Sequence, residues 1–583
     1  MDIAAKHGED LRYYSIAKKQ LNWFKWAGNS RLLISTGIKF SLPPLFYSAG
    51  GFGRLDVETG DVISLNEKSL LDRDSIIHID PSGRYIVAYQ YRARSSGPYA
   101  VRIDLATGSE VVVQKPQRGI DRWLADANGN IRAGIGYTTK KWRLYYRKSV
   151  ADDFVKIESR RYSQMQDDVV DNIVFLPEEG KAIIVANSRT GRFGAYDYDI
   201  AEDIIGAPIF EHDIADVTDL IIGNDKRLLG VKYDAEKPGQ KWLDAGLTKI
   251  QARLDKSLRG KENRILSFSD NRDTILFWSG AGADPGSYFI FKPAESRIEQ
   301  LLVPFDKIDP GKLSRMKSVS YLARDGLTVS GYLTMPKYAG EKPLPAVILP
   351  HGGPFSRTSW GYDPWVQFLA DRGYAVLQPN FRGSTGFGRN FVERGYGEWG
   401  AGMSNDIDDG TKWLISQGIA DKDRICIMGA SYGGYAALWG AIRSPDLYRC
   451  AASLNGVTDV RAMLKYDRRQ FAARRYARRW KEKVAGQEKK DLAAISPVQQ
   501  AARLKVPTLV MQGEKDDNVP KKQADDFLEA IEEAKVTGVE KLYFPNSGHD
   551  LSSGEDVLAF FKAIEKFLAK HNPTDRNSAA TAN

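Results

Sequence analysis

"ICIMGASYGGYAALWGAIRS" occupies residues 425–444, and its reading decides the fold of the chain. An apolar run of strand character stops at Ser431, passes two glycines, and restarts as an Ala- and Leu-rich segment of helical character. A serine at a strand end is ordinarily a helix N-cap or a turn residue. Here Gly429 and Gly433 bracket it in the order G-x-S-x-G, the spacing of a sharp strand-to-helix turn with no room for side chains beside the serine. Such a turn exposes the hydroxyl at a sheet edge, which makes Ser431 a candidate nucleophile. A five-residue pattern recurs by chance, so the reading depends on partner residues elsewhere.

From about Ser318 the chain alternates strand and helix. Strand character is carried by "PAVILPHGG" (345–353), "YAVLQPNFRG" (374–383), "RICIMGAS" (424–431), "CAASLNGV" (450–457), "PTLVMQGEKD" (507–516) and "KLYFPNSGH" (541–549). Helices are expected from Trp365, Met403, Tyr432, Lys521 and Asp556. This alternation predicts an α/β unit over 316–573 with a doubly wound, mostly parallel sheet. The polar, small-residue end, 574–583, is expected to be a disordered tail.

Residues 1–315 read differently. An apolar run, a polar turn rich in Gly, Asn and Asp, and a second apolar run recur as one unit. The turns are "WAGNSRLLI" from Trp26, "DPSGRYIVA" from Asp80, "DANGNIRAG" from Asp126, "PEEGKAIIV" from Pro177, "GNDKRLLGV" from Gly223 and "DNRDTILFW" from Asp270, spaced by 46 to 54 residues. The hairpins "LDVETGDVI" from Leu55 and "IDLATGSEV" from Ile103 recur as well. A repeat of this length with about four strands per unit marks an all-β propeller, whose blades bury their faces against each other. Six turns are visible and "LRYYSIAKKQ" (11–20) already reads as strand, so six to seven blades are expected, with the chain entering inside one. "WLDAGLTKIQARLDKSLRG", from Trp242, interrupts the pattern with helical spacing.

At 583 residues and 65.1 kDa the chain exceeds one ordinary domain, and its 42% hydrophobic and 27% charged content is that of a globular protein. No apolar run reaches eighteen residues, so membrane insertion is not expected. The N-terminus lacks the basic-then-apolar layout of a signal peptide. As written the chain reads as soluble and cytoplasmic, or periplasmic or secreted if a preceding segment carried a signal. The two cysteines, Cys426 and Cys450, are too few for a disulfide framework and lack C-x-x-C spacing; both are expected to be buried free thiols. Neither a metal nor another cofactor is expected.

The formal charge of +9 raises nucleic acid as a partner. Yet between Lys465 and Lys490 eleven Lys and Arg face three acids, which is nearly the whole excess. A nucleic-acid binder spreads its basic footprint over a groove-facing surface, with aromatic side chains for stacking, so nucleic acid is not expected. The segment reads as a solvated helix face whose arginine stems cover apolar surface. Its functional alternative is a surface that favours acidic substrates or docks a partner subunit. A homo-oligomer is left open.

A serine needs a base within reach and a third group to orient that base. The six histidines are His7, His78, His212, His351, His549 and His571. In α/β-hydrolases the base follows the nucleophile along the chain, which leaves His549 and His571. His571 ends a helix in "FLAKHNP", where a histidine simply complements the helix dipole. His549 lies in "YFPNSGHDL", a loop after a strand, and is the candidate base. The acid belongs in "EKDDNVP", where Glu514, Asp516 and Asp517 are all open on spacing alone. For the oxyanion, one donor is the Tyr432 backbone N–H and another comes from "ILPHGGPF", where Gly352 and Gly353 allow close approach. His351, ahead of Ser431, fits an oxyanion-loop role on the substrate side.

These pieces resemble the prolyl oligopeptidase family of serine peptidases. The resemblance is carried by "HGGP" at 351–354, "NFRGSTGFG" at 380–388, "GASYGGY" at 429–435, "DDNVP" at 516–520 and "SGHD" at 547–550. Within the family the chain is similar to the acylaminoacyl-peptidase and dipeptidyl-peptidase branches. The motifs cover roughly Ser318 to His571; the propeller match is architectural. The resemblance implies that Asp516 is the triad acid, that Asn518 and Val519 line the substrate side, and that Arg382 either contacts substrate or organises the loop around Asp406 and Asp408. It also implies that the propeller caps the catalytic edge and admits only short peptides. The paired glutamates that hold a free N-terminus in dipeptidyl peptidases are not found.

The expected function is a serine peptidase that hydrolyses short peptides through a Ser431–Asp516–His549 triad and an acyl-enzyme, in exopeptidase or oligopeptidase mode. An esterase or amidase acting on small acyl compounds uses the same chemistry. A propeller binding protein with a vestigial hydrolase is the reading from a different class.

Overall fold

The computed structural model describes residues 20–575 except 43–44, 66–74, 93–94, 138–140, 162–171, 188, 338–342, 471–473 and 487–489. The N-terminal region is a six-bladed β-propeller, with antiparallel sheets at 20–64, 76–114, 122–161, 172–210, 217–242 and 262–302. The strand expected over 11–20 lies, apart from Gln20, outside the described residues. Adjacent blades share small apolar cores, such as Val87, Ala100, Ile120 and Trp123 between the second and third. Trp123 is fully buried, and its indole N–H donates to the Pro98 carbonyl at 2.7 Å. The fifth sheet has three strands where the others have four. It is followed by helix α1 (Ala245–Ser257), the interruption read from spacing, capped by Asp244. Leu247, Ile250 and Leu254 of α1 pack with Trp242, Ile265 and Phe277 of the flanking blades.

The C-terminal region is built on one eight-stranded sheet. Its strands are β1 (Met316–Leu322), β2 (Thr328–Thr334), β3 (Leu344–Ile348), β4 (Ala375–Asn380), β5 (Ala420–Ala430), β6 (Cys450–Leu454), β7 (Thr508–Gly513) and β8 (Val539–Phe544), in the spatial order 1-2-4-3-5-6-7-8. The pairs β1/β2 and β2/β4 are antiparallel, and every later pair is parallel. Helices α2 (Pro364–Asp371) and α9 (Gly554–His571) cover one face; α4 (Gly402–Ser416), α5 (Tyr432–Arg443) and α8 (Lys522–Glu533) cover the other. The short helix α3 (Arg389–Glu393) and the hairpin of α6 (Val460–Gln470) and α7 (Arg474–Ala485) complete the unit. The apolar runs are continuous because both faces are covered: Ile425 and Ile427 meet α5, while Met428 meets the α2–α9 side.

Cys426 and Cys450 depart from the expected free thiols: they form a disulfide. They stand opposite each other on the neighbouring strands β5 and β6, with Cα atoms 4.7 Å apart, inside the span a disulfide bridges. Sequence spacing could not reveal this, because the pairing is set by the crossover through α5. The polar end is also less free than expected at its start. Thr574 is buried and Asp575 pairs with Arg424 at 3.0 Å, while 576–583 lie outside the described residues. Among the described residues no helix is long and apolar enough to cross a membrane.

The propeller rests on the segments that leave the C-terminal ends of β3 and β4. Arg357 donates to the carbonyls of Asp234 and Ala235 at 2.6 and 3.2 Å, and the Arg389 N–H donates to the Gly191 carbonyl at 2.9 Å. Asp216 is the buried joint: its carboxylate accepts from the Phe193 N–H at 3.0 Å within the propeller and from the Gly388 N–H at 3.1 Å across the contact. Burial holds its pKa above the ordinary carboxylate value. Asp216→Asn must turn an amide NH2 toward one of these two donors and leave a buried N–H without a partner. The expected loss is about 1–3 kcal/mol, read as a lower urea midpoint at unchanged slope.

Candidate active site

Ser431 sits between β5 and α5 at φ +58° and ψ −121°, a left-handed backbone that costs a non-glycine residue about 1–3 kcal/mol. The two flanking glycines answer to contact. A Cβ on Gly433 would meet the Pro350 carbonyl oxygen at 2.2 Å, and one on Gly429 would meet the Gly433 backbone at 2.5 Å. The elbow is thus pressed against the turn that carries Gly352 and Gly353; a Cβ on Gly352 would lie 3.5 Å from that of Ser431. The Ser431 N–H donates to the Leu454 carbonyl at 2.9 Å, which ties the elbow to β6. The Tyr432 ring is fully buried among Trp399, Phe381 and Tyr435, and its hydroxyl meets the Met403 sulfur at 3.1 Å. Only the backbone of Tyr432 is left to face the elbow.

His549 and Asp516 are brought together: His549 Nδ1 lies 2.7 Å from Asp516 Oδ2. The other carboxylate oxygen, Oδ1, accepts from the N–H groups of Asn518 and Val519 at 2.8 and 2.9 Å. The loop therefore wraps Asp516 inward, while Glu514 stays exposed. Spacing could not separate these neighbours; the turn geometry does. Asn518 is exposed, whereas the Val519 side chain is buried in the core beneath the loop. His571 ends α9, 3.5 Å from Glu540 and next to Phe567.

Asn455 carries no motif, yet it joins three parts of the site. It lies just after β6 at φ +50°, a backbone that asparagine tolerates better than most residues. Its side-chain N–H₂ donates to the Gly548 and His549 carbonyls at 3.2 and 2.9 Å, and its side-chain oxygen accepts from the Gly513 N–H at 2.7 Å. The signal for it in the sequence is an Asn-Gly pair closing the strand beside the one that ends at Ser431.

The region 380–388 buttresses the other side. Arg382 is buried: its Nε and Nη2 bind the Asp406 carboxylate at 2.9 and 2.7 Å, and Nη2 also binds Asp325 at 3.1 Å. Asp408 accepts from Tyr448 and Ser444, both at 2.8 Å. His351 stacks on Phe381 at 4.3 Å, with Nδ1 2.7 Å from the Gly352 carbonyl and Nε2 2.8 Å from the Ser384 hydroxyl. Burial pulls its pKa down to about 4, so the ring is neutral at pH 7 and holds the turn in place.

Residues 360–573 match the prolyl oligopeptidase family, Peptidase_S9. Dipeptidyl aminopeptidase BIII of Pseudoxanthomonas mexicana is 30% identical over 487 residues, which are 80% of this chain and 69% of that protein. Acylamino-acid-releasing enzyme of Homo sapiens is 29% identical over 252 residues, 42% of this chain and 34% of its own length. Among solved structures, a puromycin-hydrolyzing peptidase of Mycobacterium tuberculosis shares the fold with a TM-score of 0.70 at 18% identity, over 96% of this chain and 88% of that one. With the G-x-S-x-G elbow and the propeller-plus-hydrolase architecture, the chain belongs to the prolyl oligopeptidase family and is a serine-type peptidase.

Proposed function

We propose that the chain cleaves short peptides through an acyl-enzyme, with Ser431 as nucleophile, His549 as general base and Asp516 as the acid that orients it. The observation that carries this reading is the His549–Asp516 hydrogen bond of 2.7 Å at the sheet end where Ser431 takes its strained backbone. With the Nδ1 proton held by Asp516, Nε2 presents its lone pair toward substrate. It takes the Ser431 proton as the oxygen attacks the carbonyl, then returns it to the leaving amine; water repeats the cycle on the ester. The Tyr432 N–H and the N–H groups of the Gly352–Gly353 turn hold the oxyanion, where fixed donors are worth more than in water. Asn518 faces substrate; Val519, Arg382 and His351 position the loops that do. Asn455 acts through His549 as a positioning residue.

The mode we propose is release of short N-terminal units. Support comes from the relatives named dipeptidyl aminopeptidase and acylamino-acid-releasing enzyme. Support for a size limit comes from the propeller, which contacts the segments 357–359 and 386–389 at the catalytic end of the sheet. A covered site excludes both long chains and bulk water.

Ser431→Ala and His549→Ala should each lower kcat by about 10⁶-fold, because the members work as a unit. His571→Ala should retain activity. A fluorophosphonate probe should label the wild type and not Ser431→Ala; labelling of the variant would move the nucleophile. Asp516→Asn should lose about 10⁴-fold and Asp517→Asn far less, since only the first holds the imidazole tautomer; kcat for the two variants decides. A ten-residue peptide should be consumed while an unfolded, carboxymethylated protein in the same digest stays intact by mass spectrometry. Equal rates of internal cleavage would remove the size limit.

A further inference from the structure

The hairpin α6–α7 carries the chain's basic excess, and the structure sets it against both halves of the candidate site. The Tyr466 hydroxyl donates to the Asp517 carbonyl at 2.8 Å, beside the loop that wraps Asp516. The Trp480 indole N–H donates to the Asp467 carboxylate at 2.7 Å, locking α7 onto α6. The same indole stands edge-on to Phe355, two residues past Gly353, with ring centroids 6.0 Å apart. Lys483, one turn further along α7, points its ammonium at the rings of Phe355 and Tyr396, 5.3 and 5.2 Å from their centroids.

This lysine is largely buried, yet among the described residues no carboxylate stands within ion-pair distance of it; Glu393, the acid whose charge acts on it, is bound to Arg389 at 2.6 Å. Burial, with Arg479 and Arg389 nearby, pulls its pKa down to about 8. The aromatic faces compensate the ammonium only in part. On the same hairpin, Lys465, Arg468, Arg469, Arg478 and Lys481 are exposed, and none forms an ion pair with a described residue. Helix α8 does the opposite, pairing Lys521 with Asp525 and Lys522 with Asp526. Arginine stems covering apolar surface account for exposed heads, but not for an ammonium turned inward beside the oxyanion turn.

We propose that Lys483, in its frame of Phe355, Tyr396 and Trp480, binds a carboxylate of the peptide substrate, and that the exposed cations of α6–α7 steer such substrates to it. The inference rests on the reading of Ser431 as the nucleophile, because that reading makes the 351–355 turn the edge of the substrate site. The carboxylate belongs either to an Asp or Glu side chain or to the peptide's own C-terminus. A charge-assisted contact in partly buried surroundings discriminates by about tenfold or more. Exposed charges beyond about 8–10 Å are screened at physiological ionic strength, so the steering part fades with added salt.

The test uses matched peptides of one length, with Glu or Gln at each position in turn and a free or amidated C-terminus, and reads kcat/KM for wild type, Lys483→Met and Lys483→Arg. Wild type should favour the carboxylate-bearing member by about tenfold. That preference should largely vanish in Lys483→Met, return in part in Lys483→Arg, and shrink as salt rises. A Glu/Gln difference at one position assigns a side chain; an acid/amide difference assigns the C-terminus. Equal rates for all peptides in wild type, or a preference undiminished in Lys483→Met, would overturn the proposal while leaving the peptidase reading intact. No cleavage of any peptide would sink that reading instead, and this one with it. If Lys483→Met does not fold, Arg468→Glu with Arg469→Glu replaces it, and an unchanged preference and salt dependence would overturn the steering. Retention of the wild type on duplex DNA without any peptide preference would assign the hairpin to nucleic acid and overturn it too.

Discussion

The catalytic end depends on one close approach, that of Gly433 to the Pro350 carbonyl. A methyl group there would sit 2.2 Å from the oxygen, well inside contact distance. The approach holds the start of α5 and the turn after β3 as one body, although they are some eighty residues apart. From it follow the sharpness of the elbow, the left-handed backbone of Ser431 and the orientation of its neighbour's N–H. Parallel order makes this arrangement natural, because β3 and β5 are adjacent and end at the same side. The hydroxyl, the glycine turn and the two loops that follow β7 and β8 all emerge at that side.

Around this contact, polar side chains tie the neighbouring loops to one another. Asn455 links the loops after β7 and β8, and the Arg382–Asp406 pair fixes the chain after β4 to α4. A buried ion pair is weak evidence for stability, since both charges lose their water. Its value here is geometric: it sets where Phe381 and Ser384 stand, and those two hold His351. The same stretch reaches the propeller through Gly388 and Arg389. One continuous segment thus supports the Gly352–Gly353 turn at one end and the propeller at the other.

Much of this was legible in the sequence, and the remainder fails for identifiable reasons. The strands β3 to β8 announce themselves as apolar runs because helices cover both faces. Helix α1 shows through its spacing, and the blades through their turns. His549 stands out as the candidate base by elimination among six histidines, and the structure sets it beside Asp516. Asp516 could not be separated from Asp517 by spacing, because what distinguishes them is the curl of the 516–519 backbone. Asn455 shows in the sequence only as half of an Asn-Gly pair, because its partners, at 513 and 548–549, are distant along the chain. The inward turn of Lys483 was hidden in a segment whose charge count resembles a solvated face.

The bond between Cys426 and Cys450 spans the segment that carries Ser431 rather than joining distant parts of the molecule. Ser431, all of α5 and the return to β6 lie within a closed covalent ring, 24 residues from one cysteine to the other. Ordinary chain topology is therefore suspended over this stretch. A single backbone cut anywhere between the two cysteines opens the ring but releases no fragment, and the two ends of the protein remain one molecule. Fraying is bounded in the same way: α5 can lose its helical turns, but its two anchoring strands cannot drift apart beyond the length of one disulfide.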